Sequence, residues 1–119
     1  PNIKDFNRTK YHHSNLCYGM SLRALIEIMK KKDYYFVGTN LQKNNAFFVS
    51  NFFKKEKYFP NLEIMDLEYY CESNIRESRN KKGSLTFLSG KRKIEIIKDC
   101  EVVNLENSNN QNILIKNLI

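Results

Sequence analysis

Glycine is scarce in this sequence, and the shortage restricts what the chain can bind by itself. The 119 residues include four glycines, none close to another. No glycine-rich loop of the G-x-G-x-x-G or G-x-x-x-x-G-K-[ST] type can bring backbone amides close to a phosphate or nucleoside. The H-E-x-x-H and G-x-S-x-G motifs are absent as well. We therefore expect no cofactor to be bound by this chain alone, and an enzyme only if other parts complete it.

Long apolar runs and paired cysteines are also missing. No stretch approaches the roughly 18 uncharged apolar residues of a membrane helix, and residues 1–6 contain no apolar signal core. The three cysteines, Cys17, Cys71 and Cys100, are odd in number and form no C-x-x-C pair. We interpret them as reduced, small apolar side chains in a reducing compartment. The expectation is a cytoplasmic protein without a membrane partner.

Positive charge is abundant, with 20 Lys and Arg against 13 Asp and Glu. Lysines that neutralise phosphates favour nucleic-acid binding. However, 15 of the basic residues are Lys and only five are Arg, whereas phosphate and base recognition relies on the planar Arg fork. The lysines fall in short runs typical of a solvated surface. This composition argues against nucleic acid, and a basic module for RNA or an acidic protein remains the alternative.

The clearest local pattern runs from residue 17 to residue 50. Apolar residues at helical spacing predict a helix over Cys17–Lys32, capped by Ser21 or Asn15. Aromatic and β-branched residues then predict a strand over Tyr34–Thr39. A polar turn separates it from a second run, Ala46–Val49, so the two strands are expected to pair as an antiparallel hairpin.

The remaining segments carry weaker signals. Residues 1–15 are predicted to be irregular, and 51–55 to form a short helical turn before Pro60. A loose helical pattern follows Pro60. Ser84–Leu88 is predicted to be a short strand, and Ser89 to cap a small helix ending near Cys100. Apolar runs at 102–103 and 113–115, on either side of an Asn-rich turn, predict a terminal β-hairpin. The fold class is α/β, or α+β if the chain is an isolated fragment.

Few side chains suggest chemistry. His12 and His13 are the only histidines, and adjacent histidines point in different directions, so we predict no metal site. One of them could serve as a general base, and His13 is the weak catalytic candidate. Arg76, Glu77 and Arg79 form a charged cluster, which is either a surface ion pair or a fork for an anionic or polyhydroxylated ligand.

The segments His13–Leu22, Val37–Asn40 and Asn45–Val49 together resemble the C-terminal half of FkbM-type, class I S-adenosylmethionine-dependent methyltransferases, often encoded among surface-polysaccharide genes. The segments Arg76–Arg79 and Leu85–Gly90 are similar to later blocks of the same family. The resemblance implies that residues 1–50 end a Rossmann-like sheet and that 51–119 are a C-terminal extension, and the two parts are expected to form one structural unit. It places no cofactor residue on this chain, although S-adenosylmethionine is the family's cofactor.

The hypothesis is thus a C-terminal segment of a methyltransferase-like protein of sugar or cell-surface metabolism, inactive alone. Half of such a sheet leaves apolar surface uncovered, so its expected partner is a missing N-terminal half or a second copy of itself. Scaffolding by self-association alone is a further possibility. The residues expected to face a polar substrate are His13, Asn15, Asn40, Arg76 and Arg79.

Overall fold

The computed structural model describes residues 3–53, 55–61, 63–65, 77–105 and 111–118. These residues form an α+β fold of short helices and two antiparallel strand pairs. The chain packs as two compact units: unit 1 combines residues 1–19 with 76–119, and unit 2 comprises 20–75. Packing defines these units, whereas the division at residue 50 comes from the resemblance and stays a prediction.

Unit 2 begins with the predicted helix, which is shorter than its pattern. Helix α2 (Leu22–Lys30) starts at Ser21, whose side chain accepts a hydrogen bond from the Ala24 amide. Residues 17–20 precede the helix because this cap fixes its first turn. α2 packs against β1 (Tyr34–Thr39), and Ile26 and Phe36 are buried in this unit. The predicted helix is confirmed, with a later start.

The predicted hairpin is confirmed. β1 pairs antiparallel with β2 (Ala46–Ser50), and Phe36 lies opposite Phe48 with ring centroids 5.4 Å apart. The register shifts between Phe36 and Gly38. Gly38 is buried with φ near +134°, a conformation that favours glycine, and the Met65 side chain lies over it. The bulge therefore depends on a glycine at position 38.

After the hairpin, unit 2 continues with a 3₁₀ turn (Asn51–Phe53) and the one-turn helix α3 (Lys55–Tyr58). These elements match the helical turn predicted before Pro60. The loose helical pattern beyond Pro60 lies mainly at positions 62 and 66–76, outside the described residues. Met65 is described, and its amide donates to the Phe36 carbonyl on β1.

Unit 1 contains one confirmed hairpin and three departures from prediction. β3 (Glu101–Val103) and β4 (Asn112–Leu114) pair antiparallel as predicted. The segment expected to be irregular contains the one-turn helix α1 (Arg8–Tyr11), because the Asn7 side chain caps it. The strand predicted at Ser84–Leu88 is wrong, since the segment makes only an isolated bridge between Leu85 and Arg79.

The predicted cap of the last helix is also wrong. Helix α4 (Lys91–Ile97) begins after Gly90 rather than after Ser89. Gly90 adopts φ 56° and ψ −140°, and no side chain caps the helix. Glycine turns the chain here at little steric cost, which replaces the expected serine cap. Within the described residues, no helix has the length and apolar character needed to cross a bilayer.

Candidate functional site

Three of the five residues expected to face a ligand are neighbours in unit 1. The Arg79 amide donates to the Ser14 carbonyl at 3.1 Å, and Ser14 stands between His13 and Asn15. His13 is exposed, Asn15 is buried and Arg79 is half-buried. One backbone hydrogen bond therefore joins two segments more than sixty positions apart.

Asn15 has a conformational reason to be an asparagine. Its φ is +58°, in the left-handed region, where Asn is tolerated better than most residues. Its amide donates to the His12 carbonyl at 3.0 Å, which closes a turn. Asn15 shapes the backbone at this point, and its role toward a ligand stays a prediction.

His12, rather than His13, takes part in a local hydrogen-bond network. Its Nδ1 lies 2.7 Å from Ser14 Oγ and accepts from the Ser14 amide at 3.3 Å. Because Nδ1 accepts an N–H, it carries no proton, so the Ser14 hydroxyl donates to it. Burial lowers the pKa of His12 below its ordinary value of 6.5, and the neighbouring His13 lowers it further. Ser14 is fully buried, so this pair stabilises the turn and exposes no nucleophile.

Ser78 is the buried anchor on the other side of the site. Its Oγ accepts from the Leu88 amide at 2.8 Å and shares a hydrogen bond with Thr86 Oγ1 at 2.7 Å. The Thr86 amide donates to the Ser78 carbonyl. Three hydrogen bonds thus hold the 84–88 loop against the residue preceding Arg79. Sequence reasoning missed Ser78, whose only signal is a small polar residue inside a charged segment.

The charged groups near this anchor form a cluster of Arg8, Glu77 and Arg79, here called the arginine–glutamate cluster. Arg8 Nη2 lies 2.8 Å from Glu77 Oε2, and Arg79 Nε lies 4.0 Å from Glu77 Oε1. Arg79 Nη1 also donates to the Gly83 carbonyl at 2.7 Å, and the Arg8 guanidinium lies over the Tyr18 ring. These side chains are a third or more exposed, so the ion pairs contribute little stability.

Charge is the main chemical property of the arginine–glutamate cluster. Two guanidinium groups against one carboxylate leave it net positive and partly open to solvent. Such a cluster suits an anionic or polyhydroxylated ligand. Arg8 was missed in the sequence because it lies 69 positions from Glu77. Arg76, the fourth expected residue, lies outside the described residues.

Asn40, the fifth expected residue, belongs to unit 2 and organises the β1–β2 loop. Its Oδ1 accepts from the amides of Asn44 and Asn45 at 3.0 and 3.2 Å, and its Nδ2 donates to Asn44 Oδ1. These bonds account for both ends of the side-chain amide. The structure therefore gives Asn40 a turn-forming role within unit 2, and its role toward a ligand stays a prediction.

The chain matches no protein-family model, no curated protein and no solved structure. In the part of the chain that the structure describes, no three His, Cys, Asp or Glu side chains converge as metal ligands.

Replacing Ser78 tests the hydrogen-bonded anchor. Ser78→Ala leaves the half-buried Leu88 amide without its acceptor, so we expect the free energy of unfolding to fall by about 1 to 2 kcal/mol. Ser84→Ala, in the exposed loop, is the matched control and should change it by about 0.5 kcal/mol or less. Urea unfolding followed by circular dichroism measures both, and equal losses would contradict the role of Ser78.

Proposed function

We propose that the chain is the C-terminal segment of an S-adenosylmethionine-dependent methyltransferase-like protein of sugar or cell-surface metabolism, inactive alone. The observation that carries the proposal is the succession α2, β1, β2 with antiparallel pairing. This is the order of elements that the resemblance implies for the end of the family's sheet. Among the described residues this sheet has two strands, so the proposal requires a neighbour beyond β2.

The hydrogen bonds show which edge of β2 is open. The Asn51 amide donates to the Asp33 carbonyl, and the Asn40 amide to the Asn45 carbonyl. Because hydrogen-bonded and non-hydrogen-bonded pairs alternate in an antiparallel ladder, residues 47 and 49 face β1. The backbone groups of Ala46, Phe48 and Ser50 point away from it. These three residues are here called the outer edge of β2.

Within the described residues, the outer edge of β2 shows no charge, proline or bulge that would oppose pairing. Edge strands are commonly guarded by charged residues, proline or bulges. β2 is Ala-Phe-Phe-Val-Ser, which contains no charge and no proline, and the bulge of this hairpin lies on β1. Among the described residues only β1 pairs with β2. An unguarded edge of this kind is suited to accept another strand.

The site in unit 1 supports the acceptor side of the proposal. His13 is exposed and directly precedes Ser14, whose carbonyl accepts from the Arg79 amide, and the arginine–glutamate cluster is net positive. Sugars and their phosphates present hydroxyl and anionic groups that such side chains recognise. The segment would therefore supply part of the sheet and the wall that faces the acceptor, while a separate N-terminal half would hold the cofactor.

Blocking the outer edge tests the need for a neighbour. We expect the chain to self-associate, burying at least about 1,000 Å² in total. Ala46→Pro removes an outward N–H without removing a hydrogen bond to β1, so it should shift association to at least about tenfold higher concentration, as a loss of about 1.4 kcal/mol implies. Light scattering over a concentration series measures this.

Phe52→Ala is the control for that experiment, because Phe52 is 85% exposed but lies outside the edge. If any exposed apolar side chain drives association, Phe52→Ala should weaken it as much as Ala46→Pro does. A compact monomer with a cooperative melt at every concentration would contradict the need for a neighbour.

Cofactor binding tests the assignment itself. Calorimetric titration with S-adenosylmethionine should show no binding to the chain alone and binding once it is joined to the polypeptide encoded immediately upstream of Pro1. No binding by the joined protein would contradict the methyltransferase assignment. RNA binding by the chain with steep salt dependence would instead favour the basic module.

A further inference from the structure

Among the described residues of unit 1, the buried apolar side chains are two cysteines. Four apolar side chains are buried in the described part of the chain, and two of them, Ile26 and Phe36, belong to unit 2. The other two are Cys17, 3% exposed, and Cys100, 7% exposed. Both are free thiols in the structure.

Cys17 and Cys100 come from the two separate chain segments that build unit 1. Cys17 lies in the 1–19 segment and Cys100 in the 76–119 segment. Burial and a hydrogen bond with the Cys17 side chain raise the pKa of Cys100 to about 12. Tyr11 interacts electrostatically with both thiols, and its side chain hydrogen-bonds the backbone of Glu101. Two buried thiols from distant parts of the sequence thus lie in the same unit and close enough to interact.

Two hydrogen bonds hold the backbone of Cys100 in place. Its amide donates to the Ile97 carbonyl at the end of α4, and its carbonyl accepts from the Ile115 amide after β4. These two bonds fix the Cα position of Cys100 and the direction of its Cα–Cβ bond. A cross-link at this position would therefore join the N-terminal segment to the helix and hairpin of the C-terminal segment.

We propose that Cys17 and Cys100 form a reversible disulfide that ties together the two segments of unit 1. The oxidant is a small disulfide such as oxidised glutathione. One protein thiolate attacks it and releases one glutathione thiolate, and the second protein thiol attacks the mixed disulfide and releases the other. Two protein S–H bonds are lost, one S–S bond forms, and the two protons pass to the two glutathione molecules.

The environment of the pair determines when the disulfide forms. A buried thiol with a raised pKa is rarely a thiolate at neutral pH, so the folded protein reacts slowly. The pair stays reduced in a reducing compartment and closes under sustained oxidation. Unit 1 has a thin apolar core, and small units of that kind gain most from a cross-link. The disulfide also closes an 83-residue loop in the unfolded chain, which lowers the entropy of the unfolded state.

Competition among the three cysteines provides the test. Cys71 and Cys100 are 29 positions apart, whereas Cys17 and Cys100 are 83 apart. In an unfolded chain the shorter loop closes roughly fivefold more often, because closure probability falls as the −3/2 power of length. In the folded protein, equilibrated with oxidised and reduced glutathione, we expect Cys17–Cys100 to predominate instead. Alkylation of the remaining thiols and peptide mass mapping measure each disulfide.

The controls use the same chemistry. Oxidation in concentrated urea should restore the order set by loop length. Cys71→Ser should still lose two thiols on oxidation, and its denaturant midpoint should rise. Cys71→Ser combined with Cys17→Ser should show neither change. The proposal would be overturned if Cys17 and Cys100 both stay free, and are therefore alkylated, under native oxidising conditions. The same disulfide distribution with and without urea would also overturn it.

Discussion

The antiparallel ladder between β1 and β2 is the constraint on which the account of this chain depends. In such a ladder each strand directs alternate backbone groups toward its partner and the others away from it. Backbone N–H and C=O groups are strong hydrogen-bonding groups that must find partners when covered. The two-stranded sheet therefore has one edge of β2 that the described residues leave unpaired. The proposed neighbour, the proposed association and the proposed function all depend on that edge.

The two units differ in what fills them. Unit 2 packs a helix on its hairpin and buries Ile26 and Phe36, a conventional apolar core. Unit 1 buries Ser14, Asn15 and Ser78 together with two thiols. Buried polar groups cost free energy unless they are hydrogen-bonded, and the bonds of Ser14 and Ser78 meet that requirement. Polar bonding thus fixes the site's geometry where apolar packing is thin.

Sequence patterns predicted the helices and strands whose formation depends on residues close together in the chain. Helical periodicity found α2, and aromatic and β-branched runs found both hairpins. Prediction failed where a distant contact or a single backbone angle decides the structure. At 84–88, where a strand was predicted, the Ser78 side chain instead accepts from the Leu88 amide. Helix α4 begins after Gly90, one residue past the predicted cap at Ser89. The sequence suggested His13, Asn15 and Arg79 as site residues. It could not suggest the Ser14–Arg79 hydrogen bond or the Arg8–Glu77 ion pair, because these join residues that only the fold brings together.

Residue-resolved hydrogen exchange of β2 tests the open edge most directly. The Val49 amide faces β1 and should be protected at every protein concentration. The Phe48 amide points outward and should exchange nearly as fast as an unstructured amide in dilute monomer, then gain protection as the chain associates. Phe48 protection equal to that of Val49 in the dilute monomer would contradict the account, because the edge would already be covered within the chain.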